Sequence, residues 1–103
     1  MIIIYLKTLR KISVKYPDAA NSLTHWQAYT SAAEWSSPQE LKKQIRTASV
    51  LNSERVVFNV HGNKYRLIVA INYETCSVMI KWFGTHSEYD AIDAELAENF
   101  QSF

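Results

Sequence analysis

Arg55, Asn59, His61, Lys64, Arg66 and Lys81 are the residues whose types and spacing could do chemistry, because a two-residue alternation in the second half of the chain gathers them on one face. Lys64 and Arg66 stand two residues apart, and such a pair suits an anion: a planar guanidinium grips two oxygens at once and an ammonium adds a point charge. The formal net charge of +1 hides an asymmetry. All 11 Lys and Arg lie in residues 1–89, with six acids (Asp18, Glu34, Glu40, Glu54, Glu74, Glu88), which leaves +5. Residues 90–103 carry Asp90, Asp93, Glu95 and Glu98 with no Lys or Arg, giving −4. A basic body with an acidic tail fits an anion-binding surface, and a solvated helix end or a wet polar sheet face has the same composition.

Other chemistries find little support. His25, His61, Cys76 and His86 show neither Cys-x-x-Cys nor His-x-x-x-His spacing, and no acidic cluster of a two-metal nuclease is present, so no metal is expected. Gly62 and Gly84 stand alone, without a phosphate-loop or dinucleotide motif, and no cofactor is expected. Cys76 has no partner for an internal disulfide and reads as a small core or turn residue. The opening run Met1–Leu6 meets Lys7 too soon for a signal peptide or a membrane span, so the expected compartment is the cytoplasm and no membrane partner is expected.

The elements that must position these residues follow from periodicity. Residues 1–5 predict a short strand, and Leu6, Leu9, Ile12 and Tyr16 then recur at helical spacing until Pro17 breaks the chain. Leu23, Trp26, Thr30 and Ala33 predict a second helix. Ser37-Pro38-Gln39-Glu40 predicts the start of a third: Ser37 caps, Pro38 suits the first position, and Glu40 is placed to reach back to the cap amide. After an irregular connection over 46–54, three runs read as antiparallel strands: Arg55–His61, Lys64–Tyr73 and Cys76–Gly84. Their links, Gly62-Asn63 and Glu74-Thr75, are too short for any other pairing. Val56, Phe58 and Val60, then Tyr65, Leu67, Val69, Ile71 and Tyr73, then Val78, Ile80 and Trp82 predict the face that the helices cover. The opposite face is expected to be open. A length of 103 residues fits one α+β domain spanning 1–103.

Two stretches carry a resemblance. Arg55-Val56-Val57-Phe58-Asn59-Val60-His61-Gly62-Asn63-Lys64-Tyr65-Arg66-Leu67-Ile68-Val69 and Gly84-Thr85-His86-Ser87-Glu88-Tyr89-Asp90 resemble the HigB toxins, as do Lys15-Tyr16-Pro17-Asp18-Ala19, Ala33-Glu34-Trp35 and Ser37-Pro38. The resemblance implies a RelE-like α+β fold: an N-terminal strand and two to three helices packed on a curved antiparallel sheet, with a short C-terminal helix and a concave face that takes RNA. It further implies a type II toxin, an endoribonuclease that cuts mRNA on the ribosome and so inhibits translation. The implied partner is a HigA-like helix-turn-helix antitoxin, through which alone the chain would meet operator DNA.

The residues carried over are few. Tyr65-Arg66-Leu67 matches the pattern in which the arginine of RelE-type toxins contacts the cut phosphate, so Arg66 is the first expected catalytic residue, with Lys64 beside it. Where those toxins place Arg or Lys after a glycine and a Tyr further on, this chain has Gly84, His86 and Tyr89. His86 could move a proton, since imidazole titrates near ~6.5; it could also hold phosphate or cap the final helix. Tyr89 could orient the phosphate, stack on a base or pack on the sheet edge. Arg55, Asn59, Asn63 and Lys81 are expected RNA contacts, His25 is expected to be structural, and His61 is either a solvent-facing turn residue or an RNA contact. A ribosome-independent ribonuclease, a non-catalytic RNA-binding inhibitor and a protein-interaction domain are the competing readings.

Overall fold

The β-branched residues Ile2–Ile4 form β1, and Tyr5, in the left-handed region at φ 73°, turns the chain directly into α1, Leu6–Lys15. These features belong to a computed structural model that describes all residues, 1–103. Pro17 interrupts the helix as expected, in a 3₁₀ turn over Pro17–Ala19, and α2 continues from Ala20 to Ala32. Leu9 and Ile12 of α1 and Leu23, Trp26 and Thr30 of α2 are buried, which is the predicted periodic face. Leu6 is the exception, turned outward on the first turn.

The third helix, α3 (Pro38–Gln44), starts at Ser37, whose hydroxyl accepts from the Glu40 amide at 3.2 Å. Glu40 does not close the reciprocal half of the cap: its carboxylate accepts from the Ser36 hydroxyl at 2.5 Å instead. The connection after α3 contributes a two-residue strand, β2 (Ser49–Val50). Then come β3 (Arg55–Val60), β4 (Tyr65–Asn72), β5 (Ser77–Thr85) and the short helix α4 (His86–Asp90).

The sheet order is β1-β5-β4-β3-β2. β2 to β5 pair antiparallel, but β1 runs parallel to β5, with Ile3 opposite Val78. The sheet is therefore mixed, not wholly antiparallel as expected. Parallel neighbours need a long crossover, and the helices and strands between β1 and β5 supply one.

Tyr65, Leu67, Val69 and Ile71 of β4 pack with Val56, Phe58 and Val60 of β3 in the main core under the helices, as alternation predicts. β5 departs from its expected phase. Ile68 stands opposite Trp82 while Val69 stands opposite Ile80, so Lys81 is an extra residue, a β-bulge. Beyond it the faces exchange: Phe83 enters the main core, and Trp82 crosses to the other face with Val57 and Ile68.

That second face is not open. Tyr89, Ile92, Ala94 and Ala97 pack on the Val57–Ile68–Trp82 cluster, so the acidic C-terminal segment crosses the sheet as a strap. Asn99 fastens it to β5: its side chain accepts from the Phe83 amide at 2.9 Å and donates to the Phe83 carbonyl at 2.8 Å. A side-chain amide here takes the place of a neighbouring strand along an edge that would otherwise be exposed. Phe100 then stacks on Tyr5 at 4.7 Å.

Candidate functional site

The strap leaves one end of the second face uncovered, around the β3–β4 turn. His61 (φ 56°) and Gly62 (φ 65°) are both left-handed there, and the Lys64 amide donates to the His61 carbonyl at 3.2 Å. Nothing stands within 4 Å of where a Gly62 side chain would be, so backbone conformation and not space favours glycine. Val60 and Tyr65 pair across the turn, and this register sets Arg66 between Asn59 on β3 and Gly84 on β5.

Arg66 is only 9% exposed. Its Nη1 donates to the carbonyls of Asn63 and Tyr65, each at 3.1 Å, and its Nη2 donates to Asn63 Oδ1 at 2.6 Å. A guanidinium has five N–H donors. These three bonds leave two for a ligand and hold the head group in place before one arrives. Asn63 is therefore the clamp of Arg66, while Asn59 is exposed beside it.

Gly84 is required by packing. A Cβ there would collide with the Trp82 ring, meeting Cζ2 at 2.8 Å, and would lie 3.1 Å from Glu88 Oε1. Past Gly84, Thr85 and Glu88 form a reciprocal capping box that starts α4, with bonds of 3.1 and 2.8 Å. The His86 amide donates to the Lys64 carbonyl at 2.9 Å, tying the start of α4 to the start of β4. His86 thus arrives at the same end of the sheet as Arg66. Its imidazole is 45% exposed, with Nε2 3.5 Å from Asp90 Oδ2. Thr85, not His86, caps the helix.

Three expected site residues, Lys64, Arg55 and Lys81, are engaged elsewhere, whereas Tyr89 shares α4 with His86. Lys64 precedes β4 and belongs to the turn, so alternation does not govern it; its ammonium pairs with Asp18 on the helical side and lies over the Tyr65 ring. The Tyr65 hydroxyl also donates to Asp18, at 2.8 Å. Hydrogen bonds from Lys64, then Tyr65, hold the Asp18 carboxyl below its ordinary range, and the bond with Asp18 raises both Lys64 and Tyr65. Arg55 is buried under the strap, donating to the carbonyls of Ala94 at 3.0 Å and Ala97 at 2.9 Å, and lies 3.5 Å from Glu98. Lys81 pairs with the same Glu98 at 3.1 Å. Tyr89 packs on the sheet, its ring 6.2 Å from Trp82. The acidic tail therefore answers two cations of the body directly.

His25 is exposed on α2 and His61 in its turn, the latter 6.5 Å from the Tyr65 ring. No three His, Cys, Asp or Glu side chains converge as a metal site would need. Cys76 is exposed in the β4–β5 turn at φ 54°. No helix is long and apolar enough to cross a membrane.

Sequence reading missed Asp18 as the partner of Lys64 and Trp82 as the cover of Gly84. The signals were present: an acid next to Pro17, and the adjacent aromatic pair Trp82-Phe83, which strict alternation does not accommodate. Curated proteins gave no match to the chain. The family model of the HigB toxin, RelE-like toxic component of a toxin-antitoxin system, matches residues 19–92, a span that contains Arg66, Gly84 and His86. With its α+β layers and five-stranded sheet consistent with a RelE-like fold, the chain belongs to the HigB toxin family and is the toxic component of a toxin-antitoxin system.

Proposed function

We propose that the protein is an endoribonuclease that cuts mRNA on the ribosome, using side chains alone, and that a HigA-like helix-turn-helix antitoxin neutralises it in the cytoplasm. The observation that carries this reading is the bond from the His86 amide to the Lys64 carbonyl, which brings an imidazole to the end of the sheet where Arg66 is clamped.

The 2′-hydroxyl attacks the adjacent phosphorus and the bond from phosphorus to the 5′-oxygen breaks, leaving a 2′,3′-cyclic phosphate and a free 5′-hydroxyl. Arg66 stabilises the charge on the non-bridging oxygens with its two unused N–H groups. His86 transfers a proton, taking it from the 2′-hydroxyl as a base or giving it to the leaving oxygen as an acid; water serves the other step. Asn59 and Asn63 position the phosphate and Arg66. Arg55 and Lys81 are held under the strap by Glu98, and Asp18 draws the Lys64 ammonium to the helical side, so none of the three is assigned a step.

Single-turnover cleavage on programmed ribosomes tests the assignment. Arg66→Ala is expected to slow cutting roughly 10²–10³-fold, as for loss of one charge-stabilising donor. His86→Ala is expected to cost roughly 10²–10⁴-fold with RNA binding little changed. Near-wild-type cutting by His86→Gln would remove the proton-transfer role. Equal cutting of translated and untranslated mRNA would establish a ribosome-independent enzyme instead.

A further inference from the structure

We propose that a nucleobase of the RNA strand lodges at the open edge of β3, in the cleft that His25, Trp26 and Tyr29 of α2 form with Gln44, Phe58 and Asn59. This inference rests on the ribonuclease reading and adds to it the place where base identity is sensed. The cleft measures about 320 Å³, the scale of a small ligand site and not of a helix-binding groove.

Four observations support a base as its occupant. β2 pairs only Ser49 and Val50, with Val57 and Val56, so no strand residue stands opposite Asn59. The Leu51 amide donates to the Arg55 carbonyl, so alternate β3 residues, Asn59 among them, turn their backbone groups to this edge. Trp26 lines the cleft, and its buried indole Nε1, like Thr30 Oγ1 one turn on, has no hydrogen-bond partner, so a small shift of the ring on binding gives it one. Tyr29 is 48% exposed and offers a ring face.

Gln44 completes the polar set. Its Oε1 accepts from Trp35 Nε1 at 2.9 Å, which orients the amide and leaves its NH₂ free to donate. Single-stranded RNA is recognised in this manner, with a splayed base stacked on an aromatic ring and hydrogen-bonded along its edge. None of the lining residues is acidic. The larger concavity, about 720 Å³, is bordered by Glu54 and Glu74, which repel phosphate.

The cleft is also correctly placed. Asn59 lines it and stands opposite Arg66 on β4, about one strand spacing away, ~4.8 Å. Trp26 and Phe58 lie on the helical face and Arg66 on the other. The RNA strand therefore leaves the phosphate at Arg66, passes over the open β3 edge beside Asn59 and seats its next base in the cleft.

The test compares cleavage-site sequences, mapped over many mRNAs on ribosomes, for wild type, His25→Ala, Tyr29→Ala and Trp26→Phe. Both alanine sites are exposed, and Trp26→Phe removes the donor while keeping a ring against Phe58. Tyr29→Ala is expected to reduce base preference at one position beside the cut by roughly tenfold, within the range for losing one base–aromatic stack. Unchanged preference in all three variants, with normal melting, would overturn the proposal. Wild type that cuts no RNA would defeat the ribonuclease reading instead. The cleft is then tested by titration with uncleavable 2′-O-methyl trinucleotides of each base. A shift of the Trp26 indole N–H resonance, with the bonded Trp35 indole as control, supports the base site, and its absence refutes it.

Discussion

Asp18, Lys64 and Tyr65 form an ion-pair cluster that joins the turn before α2 to the turn before β4, the same turn that clamps Arg66. Its effect on pH dependence follows from the direction of each shift. Asp18 titrates lower in the folded protein than its ordinary value, so its contribution is present above the carboxylate range and is lost as pH falls through the folded pKa. Lys64 and Tyr65 titrate higher, so theirs is present at neutral pH and is lost as pH rises through their folded values. The residues are exposed enough for salt to screen the pair. Asp18→Asn is expected to melt slightly below wild type at neutral pH and low salt, with the gap closing in acid and at high salt. Melting curves across pH and ionic strength check this; a gap that persists in acid would place the effect of Asp18 outside the cluster.

At the scale of elements, the bulge at Lys81 decides which aromatic ring serves which face. It delivers Trp82 onto Gly84 and Phe83 into the helical core, where Phe83 lies 5.2 Å from Tyr65. Gly84→Ala must push the indole off its seat on Val57 and Ile68, a core overpacking that costs typically about 1–3 kcal/mol. In a Trp82→Leu background the same substitution should cost much less, and denaturant unfolding of the four variants measures that coupling. Additive losses would show that Trp82 is not what excludes a side chain at Gly84. Arg55→Met belongs to the same scale: at about 1.5–3 kcal/mol for each of two lost charged hydrogen bonds it should destabilise the strap by about 3 kcal/mol or more, without the cutting defect of Arg66→Ala.

The strands Arg55–Val60 and Tyr65–Asn72 were legible because alternating Val, Phe and Leu can bury only one face. The bulge was not, since a period of two has no slot for an extra residue. The strap was illegible for another reason: Ile92, Ala94 and Ala97 are a sparse apolar set spaced among acids, and cations from β3 and β5 hold that segment on the sheet. Arg66 was legible through its turn, yet its bonds to Asn63 depend on a left-handed backbone that only the structure shows.

For the whole molecule, the question is how a partner restrains the toxin. The chain buries two hydrophobic clusters, one on each side of the sheet, and its C-terminal strap pairs with its own cations. Both clusters are closed by this chain's own residues, so the antitoxin is expected to restrain a folded toxin and not an unfinished one. Expression of the chain alone should then halt growth, and co-expression of the antitoxin should restore it. Binding to the folded state alone adds stability by mass action, about 2.7 kcal/mol at one hundred times Kd. For a chain of 103 residues that corresponds to a rise in melting temperature of roughly 10 °C or more. The measurement is thermal melting of the toxin at fixed concentration against increasing antitoxin. A melting temperature that rises with the logarithm of free antitoxin fits binding to the folded toxin. One that stays flat while growth is still rescued would mean that the antitoxin acts without holding this fold, by limiting synthesis of the toxin instead.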